Sequence, residues 1–476
     1  MIVYLLGRIL TVEAVLMAPS AVLAAIYGEG DLKAFLFTML LLAVVGVALS
    51  CRRPKNSAIF AREGLVTVAA AWILISAFGA LPMVISGAIP SYVDALFEMI
   101  SGFTTTGASI LPQVETLPHG VLFWRSFSHW VGGMGVLVFV MAVVPMSDNR
   151  SMVLMRAEVP GPVAGKLVPR MRSTAKLLYG VYSVMTVVLI VLLLFGGMPM
   201  FDAICVSLGT AGTGGFGNWN DSIAHYNSAY LQNVISVFMI LFGINFNAYF
   251  LLLTRKFKQL FKIEEIRVYL GVIAVFTTLI AFNVRGCFGS LRESFHHSLF
   301  QVASIITTTG FSSCDFDLWP TLSKEILVML MFVGACAGST GGGMKVSRIL
   351  ILGKTLKKEL KQALHPQVVA PARMDGKLLN HETIRATNVY VAAYIFIFAA
   401  SFLLISLDGF DMVTNFTAIA ATLNNIGPGL NQVGPMMNFG SYSNPAKLVM
   451  IFDMLAGRLE IFPMLVFFLP DTWRRF

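Results

Sequence analysis

The chain has 476 residues, 57% of them hydrophobic and only 12% charged, with a mean hydropathy of +0.77 and a formal net charge of +9. A soluble domain carries about 25% charged residues, so these figures exclude a soluble enzyme or a large soluble domain. They describe an all-α polytopic membrane protein, in which each crossing takes about 20 apolar residues.

Ile2 to Tyr27 reads as a first span with Arg8 and Glu13 near its start. No clear small-residue cleavage site follows, so a retained helix is expected rather than a signal peptide. The turn Gly28-Glu29-Gly30-Asp31 leads to a second span, Ala34 to Ser50, closed by the basic stop Cys51-Arg52-Arg53-Pro54-Lys55. Residues 1–58 thus form a two-helix appendage.

Four similar units follow, each a leading span, a short helix, a polar glycine-bearing segment and a following span. The first, 59–146, has Leu65 to Ile85, Tyr92 to Ser101, and Val121 to Val144. The second, 173–256, has Leu177 to Phe195, Asp202 to Leu208, and Tyr230 to Leu253. The third, 264–364, has Val268 to Phe282, Phe295 to Ile306, and a span from Glu325. The fourth, 378–476, has Val389 to Leu407, Phe410 to Leu423, and Ala446 to Leu469. The short helices match the re-entrant class.

The glycine-bearing segments are Thr104-Thr105-Thr106-Gly107, Thr213-Gly214-Gly215, Thr307-Thr308-Thr309-Gly310 and Asn424-Asn425-Ile426-Gly427. Asp94 to Gly107, Asp202 to Gly215, His297 to Gly310 and Thr414 to Gly427 are each thirteen residues. That spacing and the shared Gly-Phe align Gly215, not Gly214, with Gly310. Irregular backbone is tolerated at membrane depth only where it is buried in protein or lines a water-filled path. Four such loops around one axis make rings of carbonyl oxygens able to replace an ion's hydration shell. The spacing therefore predicts four pseudo-symmetric helix–pore-loop–helix repeats around one pore. Each short helix runs inward, and its partly negative C-terminal end favours a cation.

Lysine and arginine orient the chain. One set of connections holds Arg52, Arg53, Lys55 and Arg62; Arg150, Arg156, Lys166, Arg170, Arg172 and Lys176; Arg255, Lys256, Lys258, Lys262 and Arg267; Lys354, Lys357, Lys358, Lys361, Arg373 and Lys377; and Arg474 and Arg475. The positive-inside rule puts these connections, and both termini, in the cytoplasm. The opposite set carries the four loops and the acids Asp94, Glu98, Glu115, Asp202, Asp221, Asp315, Asp317, Asp408 and Asp411. This reads as an acidic outer rim that concentrates cations.

The third following span is interrupted by Gly334-Ala335-Cys336-Ala337-Gly338-Ser339-Thr340-Gly341-Gly342-Gly343, then Met344-Lys345. Glycine costs about 1 kcal/mol per residue in a helix, so an unwound loop below the third pore loop is expected, and we read it as a gate. It is not a phosphate-binding loop, because Met344 separates Gly343 from Lys345 and no strand precedes it. Arg458 lies within the last span, where a charge faces the interior with a partner: Glu460, Asp453 or gate-loop carbonyls. Arg125 reads as an external interfacial residue and His129 as a satisfied packing residue. The basic run Lys354 to Lys361 suits anionic lipid or an acidic protein. Of the five cysteines, Cys287 and Cys314 share an external loop where a disulfide is possible. No GxSxG, HExxH, Walker A or clustered Cys/His motif is present.

Thr104 to Gly107, Trp130-Val131-Gly132-Gly133-Met134-Gly135, Thr307 to Phe311, Ala337 to Lys345 and Asn424 to Gly429 together resemble the Trk/Ktr/HKT superfamily of potassium transporters. The two extra N-terminal spans resemble its bacterial TrkH branch. The resemblance implies a bacterial cytoplasmic-membrane homodimer with one pore per protomer, potassium as the transported ion, no organic cofactor and no nucleic acid partner. It also implies ion ligands at Thr105, Thr106, Thr308, Thr309, Asn425 and Ile426, an intramembrane gating loop at Gly334 to Gly343 with Arg458 beneath the filter, and a TrkA-like cytoplasmic nucleotide-binding regulatory subunit. The extra glycines Gly209, Gly212 and Gly214, and the Asn-Asn-Ile-Gly of the fourth loop, make the rings non-equivalent, so looser selectivity than in a symmetric channel is expected. The alternative is sodium- or proton-coupled symport, which needs an embedded carboxylate among Glu98, Asp453 and Glu460. An organic-solute transporter would show inverted repeats, whereas these repeats all run the same way.

Overall fold

The structure, a computed structural model, describes residues 1–52, 60–135, 171–368 and 371–474, the side chains of 171–175 excepted. Arg53, Lys55, Arg150, Arg156, Lys166, Arg170, Arg475, the Arg172 side chain and the end of the first following span, 136–144, lie outside the described residues. Apart from a hairpin pairing Arg373–Met374 with Lys377–Leu378, the regular elements described are helical.

The appendage consists of Ile2–Leu16 running on into Ala18–Tyr27, and Leu32–Ser50. Its helices meet through glycine. A Cβ on Gly7 would lie 2.7 Å from the Gly46 carbonyl oxygen, and one on Gly46 would lie 2.8 Å from that of Gly7. Small residues let membrane helices approach this closely. The appendage is tied to the first unit by His119, whose Nδ1 bonds Glu29 at 2.8 Å and whose ring stacks on Tyr27 at 3.8 Å.

The leading spans are Ala61–Gly79 continued by Leu81–Ile85, Met171–Phe195, Glu264–Asn283 and His381–Ile405. The re-entrant helices are Tyr92–Phe103, Met200–Gly212, Leu291–Ile306 and Met412–Leu423, of 12, 13, 16 and 12 residues. Their outer ends are capped as their sequences suggest. Ser91 accepts from the Asp94 N–H, Ser290 from the Glu293 N–H, and Asp411 from the N–H groups of Val413 and Thr414. The second begins after Pro199 and carries Asp202 in its first turn, an acid at the positive end of the dipole. The Thr414 hydroxyl, with these backbone donors and Asn431, holds the Asp411 carboxyl below the usual carboxylate range.

The third following span is interrupted where expected, and the others depart from the unbroken helices expected. Ala229–Phe242 turns by 91° into Phe246–Leu253. Thr321–Val333 stops at Gly334, and helix resumes at Val346–Leu364. Asn444–Arg458 stops before Phe462–Phe468, with Glu460 and Ile461 at φ 61° and 67°. His119–Gly133 ends before Met134. Among the described residues six helices are long and apolar enough to cross a membrane, or seven with the bent pair.

Contacts sort the connections into two sides. On one, Phe439 N–H bonds Ser109 O, the Ile223 and Ala224 N–H groups bond Ser312 O, and Val114 N–H bonds Asn220. On the other, Arg62 bonds the Thr472 and Arg474 carbonyls, and Lys354 pairs with Glu264. All five cysteines are free thiols, so Cys287 and Cys314 are not joined.

Replacing Gly46 with leucine would wedge the appendage helices apart. Overpacking costs about 1–3 kcal/mol, so the Gly46→Leu protein is expected to melt at lower temperature than the parent by scanning fluorimetry in detergent.

Candidate functional site

Each re-entrant helix ends in the same backbone device. In the first unit the Thr105 N–H bonds Gly102 O at 3.1 Å and the Thr106 N–H bonds Ser101 O at 2.8 Å. The second repeats this with Thr213 to Thr210 and Gly214 to Gly209, the third with Thr308 to Ile305 and Thr309 to Ser304, and the fourth with Asn425 to Thr422 and Ile426 to Ala421. Thr105, Thr213, Thr308 and Asn425 lie at φ 55–58°, and Gly107, Gly215, Gly310 and Gly427 at φ 78–102°. A β-branched residue in the left-handed region is a genuine outlier, and three of the four loops hold threonine there. The N–H groups of these residues are turned back into the helix.

The four loops close on one another. A Cβ on Gly107 would run into the carbonyl oxygen of Gly214, one on Gly215 into that of Thr309, and one on Gly310 into that of Ile426; one on Gly427 would lie 2.9 Å from that of Thr106. The circuit runs from unit one through two, three and four back to one. All four glycines, with Gly217, Asn220 and Phe439, line one cavity of about 90 Å³.

The hydroxyls brace the ring. Thr104 bonds Thr106 at 2.8 Å, Thr307 bonds Thr309 at 2.7 Å, and Asn425 Nδ2 donates to Thr106 Oγ1 and to Met454 O, both at 2.9 Å. Thr213 donates to Gly212 O, and Asn424 Oδ1 accepts from Tyr394. The Thr105 hydroxyl is buried and makes no hydrogen bond among the described residues.

The interrupted segment lies against this ring. The Gly342 N–H donates to Thr308 Oγ1 at 2.6 Å, and Cβ atoms on Gly341 and Gly342 would stand 2.9 Å and 2.6 Å from the Thr307 and Asn424 carbonyls. Gly334, Gly338, Gly343 and Lys345 have φ between 70° and 75°, which three glycines accept and Lys345 does not readily. Lys345 Nζ donates to Gly341 O, Ser339 Oγ to Cys336 O, and Thr340 Oγ1 to Phe242 O. Arg458 donates to Thr340 O at 2.8 Å and to the carbonyls of Gly132 and Gly133, the latter at 2.7 Å. Of the partners weighed for it, a carbonyl of the glycine loop is therefore present, while Glu460 pairs with Arg348 and Asp453 accepts from Ser401.

The TrkH family model, described as a cation transport protein, matches residues 32–474. The chain belongs to the TrkH family. It is 38% identical over 459 residues to the Trk system potassium uptake protein TrkH of Salmonella typhimurium, covering 95% of this chain and 94% of that one. It is 33% identical over 481 residues to the Trk system potassium uptake protein TrkG of Escherichia coli, covering 99% and 98%. The crystal structure of the potassium transporter TrkH from Vibrio parahaemolyticus superposes with a TM-score of 0.90 at 32% identity over 99% of both chains. This TrkH-family chain is accordingly a multi-pass membrane transporter, not an enzyme.

Two expectations change in this TrkH-family member. Arg125 is not interfacial: it is 1% exposed, pairs with Glu98 at 2.7 Å and lies 4.2 Å over the Phe216 ring. Glu98 also accepts from Ser109 and the Ile110 N–H, so it braces the ring from behind. Nor, among the described residues, does any acid line the cavity over the ring. Asp94 pairs with Lys447, Asp202 accepts from Asn218 and Tyr226, Glu115 from the Asn220 N–H, Asp408 from Ser443, and Asp317 from the Asn431 N–H. They staple the outer loops together.

His129 explains the glycine-rich second loop of this TrkH-family chain. Its Nδ1 bonds Gly102 O at 2.7 Å and its Nε2 accepts from the Phe216 N–H at 3.2 Å, which requires the neutral ring protonated on Nδ1. Its ring occupies the space a Cβ on Gly214 would need, and its carbonyl that of a Cβ on Gly212. Sequence reading missed Glu265, whose carboxylate holds the loop at Ala337 and Ser347. Its signal is a second acid in the first turn of an otherwise apolar span.

Glu98→Ala strands a buried guanidinium. Breaking such a pair costs about 3–5 kcal/mol, so that protein is expected to lose its folded yield in detergent, measured by size-exclusion profile. Gly310→Ser would force a Cβ into the Ile426 carbonyl, and a lower potassium-over-sodium permeability ratio is expected in liposome flux assays.

Proposed function

We propose that this chain carries potassium into a bacterial cell across its cytoplasmic membrane, through the ring formed by Gly107, Gly215, Gly310 and Gly427. The closed circuit, in which each loop's carbonyl abuts its neighbour's glycine, carries the reading. Backbone oxygens around an axis take the place of a potassium ion's water shell. The ligands are the carbonyls at Thr105, Thr106, Thr308, Thr309, Asn425 and Ile426, with that of Gly214 completing the ring. The C-terminal ends of four re-entrant helices converge beneath it and add negative potential. The relatives named as potassium uptake proteins support the choice of ion.

The segment Gly334 to Gly343 is the gate in this reading, because it touches the floor of the ring at Thr308 and Asn424. Arg458 latches it by tying Thr340 to Gly132 and Gly133 of the first following span. Both termini and the basic connections are cytoplasmic, two copies associate with one pore each, and a TrkA-like nucleotide-binding ring acts on the gate from the cytoplasm. The repeat boundaries are 59–146, 173–256, 264–364 and 378–476.

Coupled symport is the second reading, and Asp453 is the group that favours it. Its Oδ2 is buried without a hydrogen bond among the described residues, whereas Glu98 and Glu460 are engaged in ion pairs.

Rubidium uptake into proteoliposomes separates the two readings. With a negative interior potential and no sodium or pH gradient, uptake is expected at full rate. Uptake that requires one of those gradients, and that Asp453→Asn abolishes, would replace the channel reading with symport. Deleting Gly338 to Gly343 is expected to raise unregulated rubidium leak at least several-fold in the same assay.

A further inference from the structure

The glycine loop is also held from the cytoplasmic end of the third leading span. Glu265, in the first turn of Glu264–Asn283, is 3% exposed, and its Oε1 accepts from the Ala337 N–H at 2.7 Å and the Ser347 N–H at 3.1 Å. Ala337 lies near the start of the loop, and Ser347 lies in the first turn of the helix that resumes after it. One carboxylate thus clasps both ends. The Ser347 N–H is among the donors a helix start leaves unpaired, a position that favours an anion, and hydrogen bonds to a charged acceptor are the stronger kind.

The neighbouring residue is tied to the hairpin. The Glu264 N–H donates to Asp375 Oδ1 at 2.7 Å. Asp375 and Gly376, at φ 50° and 77°, form the two-residue turn between the paired strands, the Asp-Gly chemistry such a turn requires. The Glu264 carboxylate pairs with Lys354, whose Nζ also donates to Arg373 O at 2.6 Å. The hairpin therefore holds the start of the third leading span and the helix Val346–Leu364, the same two elements that Glu265 joins to the loop. Its turn is exposed, as are Lys377 and Leu378.

We propose that the hairpin Arg373–Leu378 is the lever that sets the glycine loop: Asp375 caps the third leading span and keeps Glu265 in register with Ala337 and Ser347, so that displacing the hairpin releases the loop. The inference rests on the reading of that loop as the gate. Asp375 and Glu265 are positioning residues, since neither touches the ring. Displacement of the turn reaches the ring through one backbone N–H, one carboxylate and the loop.

The test uses the full chain in proteoliposomes, with rubidium uptake and hydrogen exchange at the amides of 334–347 as readouts. Loss of a helix cap shifts an equilibrium roughly fivefold, so Asp375→Ala is expected to speed loop exchange and raise uptake by about that factor. Asp375→Asn, which keeps the capping oxygen, restores the parental values. Glu265→Ala acts in the same direction and more strongly, and adding Asp375→Ala to it changes nothing further, since both act through one clasp. Parental exchange and uptake in Asp375→Ala, or full additivity in the double variant, overturns the inference. The Gly338 to Gly343 deletion, measured alongside, separates the two claims. If the deletion leaves uptake unchanged, the gate reading fails while loop exchange still decides the lever. If it raises uptake and Asp375→Ala moves neither readout, the lever alone fails.

Discussion

Each glycine of the ring is there because the next unit's carbonyl oxygen occupies the place its side chain would take. That contact recurs around the circuit and determines much else. It requires four helix ends to arrive at one depth, which the re-entrant helices achieve with a common cap, and it holds three threonines in a left-handed conformation they otherwise avoid. Such strain persists only where the surroundings over-determine it. Here the surroundings are the Thr104–Thr106 and Thr307–Thr309 hydroxyl pairs, the Asn425 amide bridging Thr106 and Met454, and the His129 ring wedged behind Gly214.

The breaks in the following spans belong to the same constraint. Gly132, Gly212 and Gly457 let helices press directly on the carbonyls of Phe103, His129 and Leu423. Near this level the described following helices stop or bend, and the space opened beneath the ring holds the glycine loop and Arg458. A guanidinium supplies enough donors to satisfy three carbonyls from two segments at once, which a lysine ammonium at the same place would do with less fixed geometry.

Much of this was legible in the chain. The thirteen-residue spacing located all four loops and chose Gly215 over Gly214, and the positive φ of Thr213 and Gly215 matches Thr308 and Gly310. The interruption at Gly334 to Gly343 followed from helix propensity alone. What stayed hidden depended on partners distant in sequence. Arg125, between Trp124 and Trp130, looks interfacial until Glu98 is found 27 residues earlier on the neighbouring helix. The outer acids Asp94, Glu115, Asp202, Asp317, Asp408 and Asp411 look like an attracting rim until they are seen bonded to a loop or a cap. The break at Leu459-Glu460-Ile461 does have a local signal in Pro463, which cannot donate to the Leu459 carbonyl four residues earlier; the Arg348–Glu460 pair accompanies it. Glu265 and Asp375, 110 residues apart, meet only through the third leading span.

The central claim is that a dehydrated monovalent cation sits on the axis of this ring. Anomalous diffraction from crystals of the protein grown in rubidium tests it most directly. The account predicts a peak equidistant from the carbonyl oxygens of Thr106, Gly214, Thr309 and Ile426. Ordered rubidium found only elsewhere, with nothing on that axis, would contradict it.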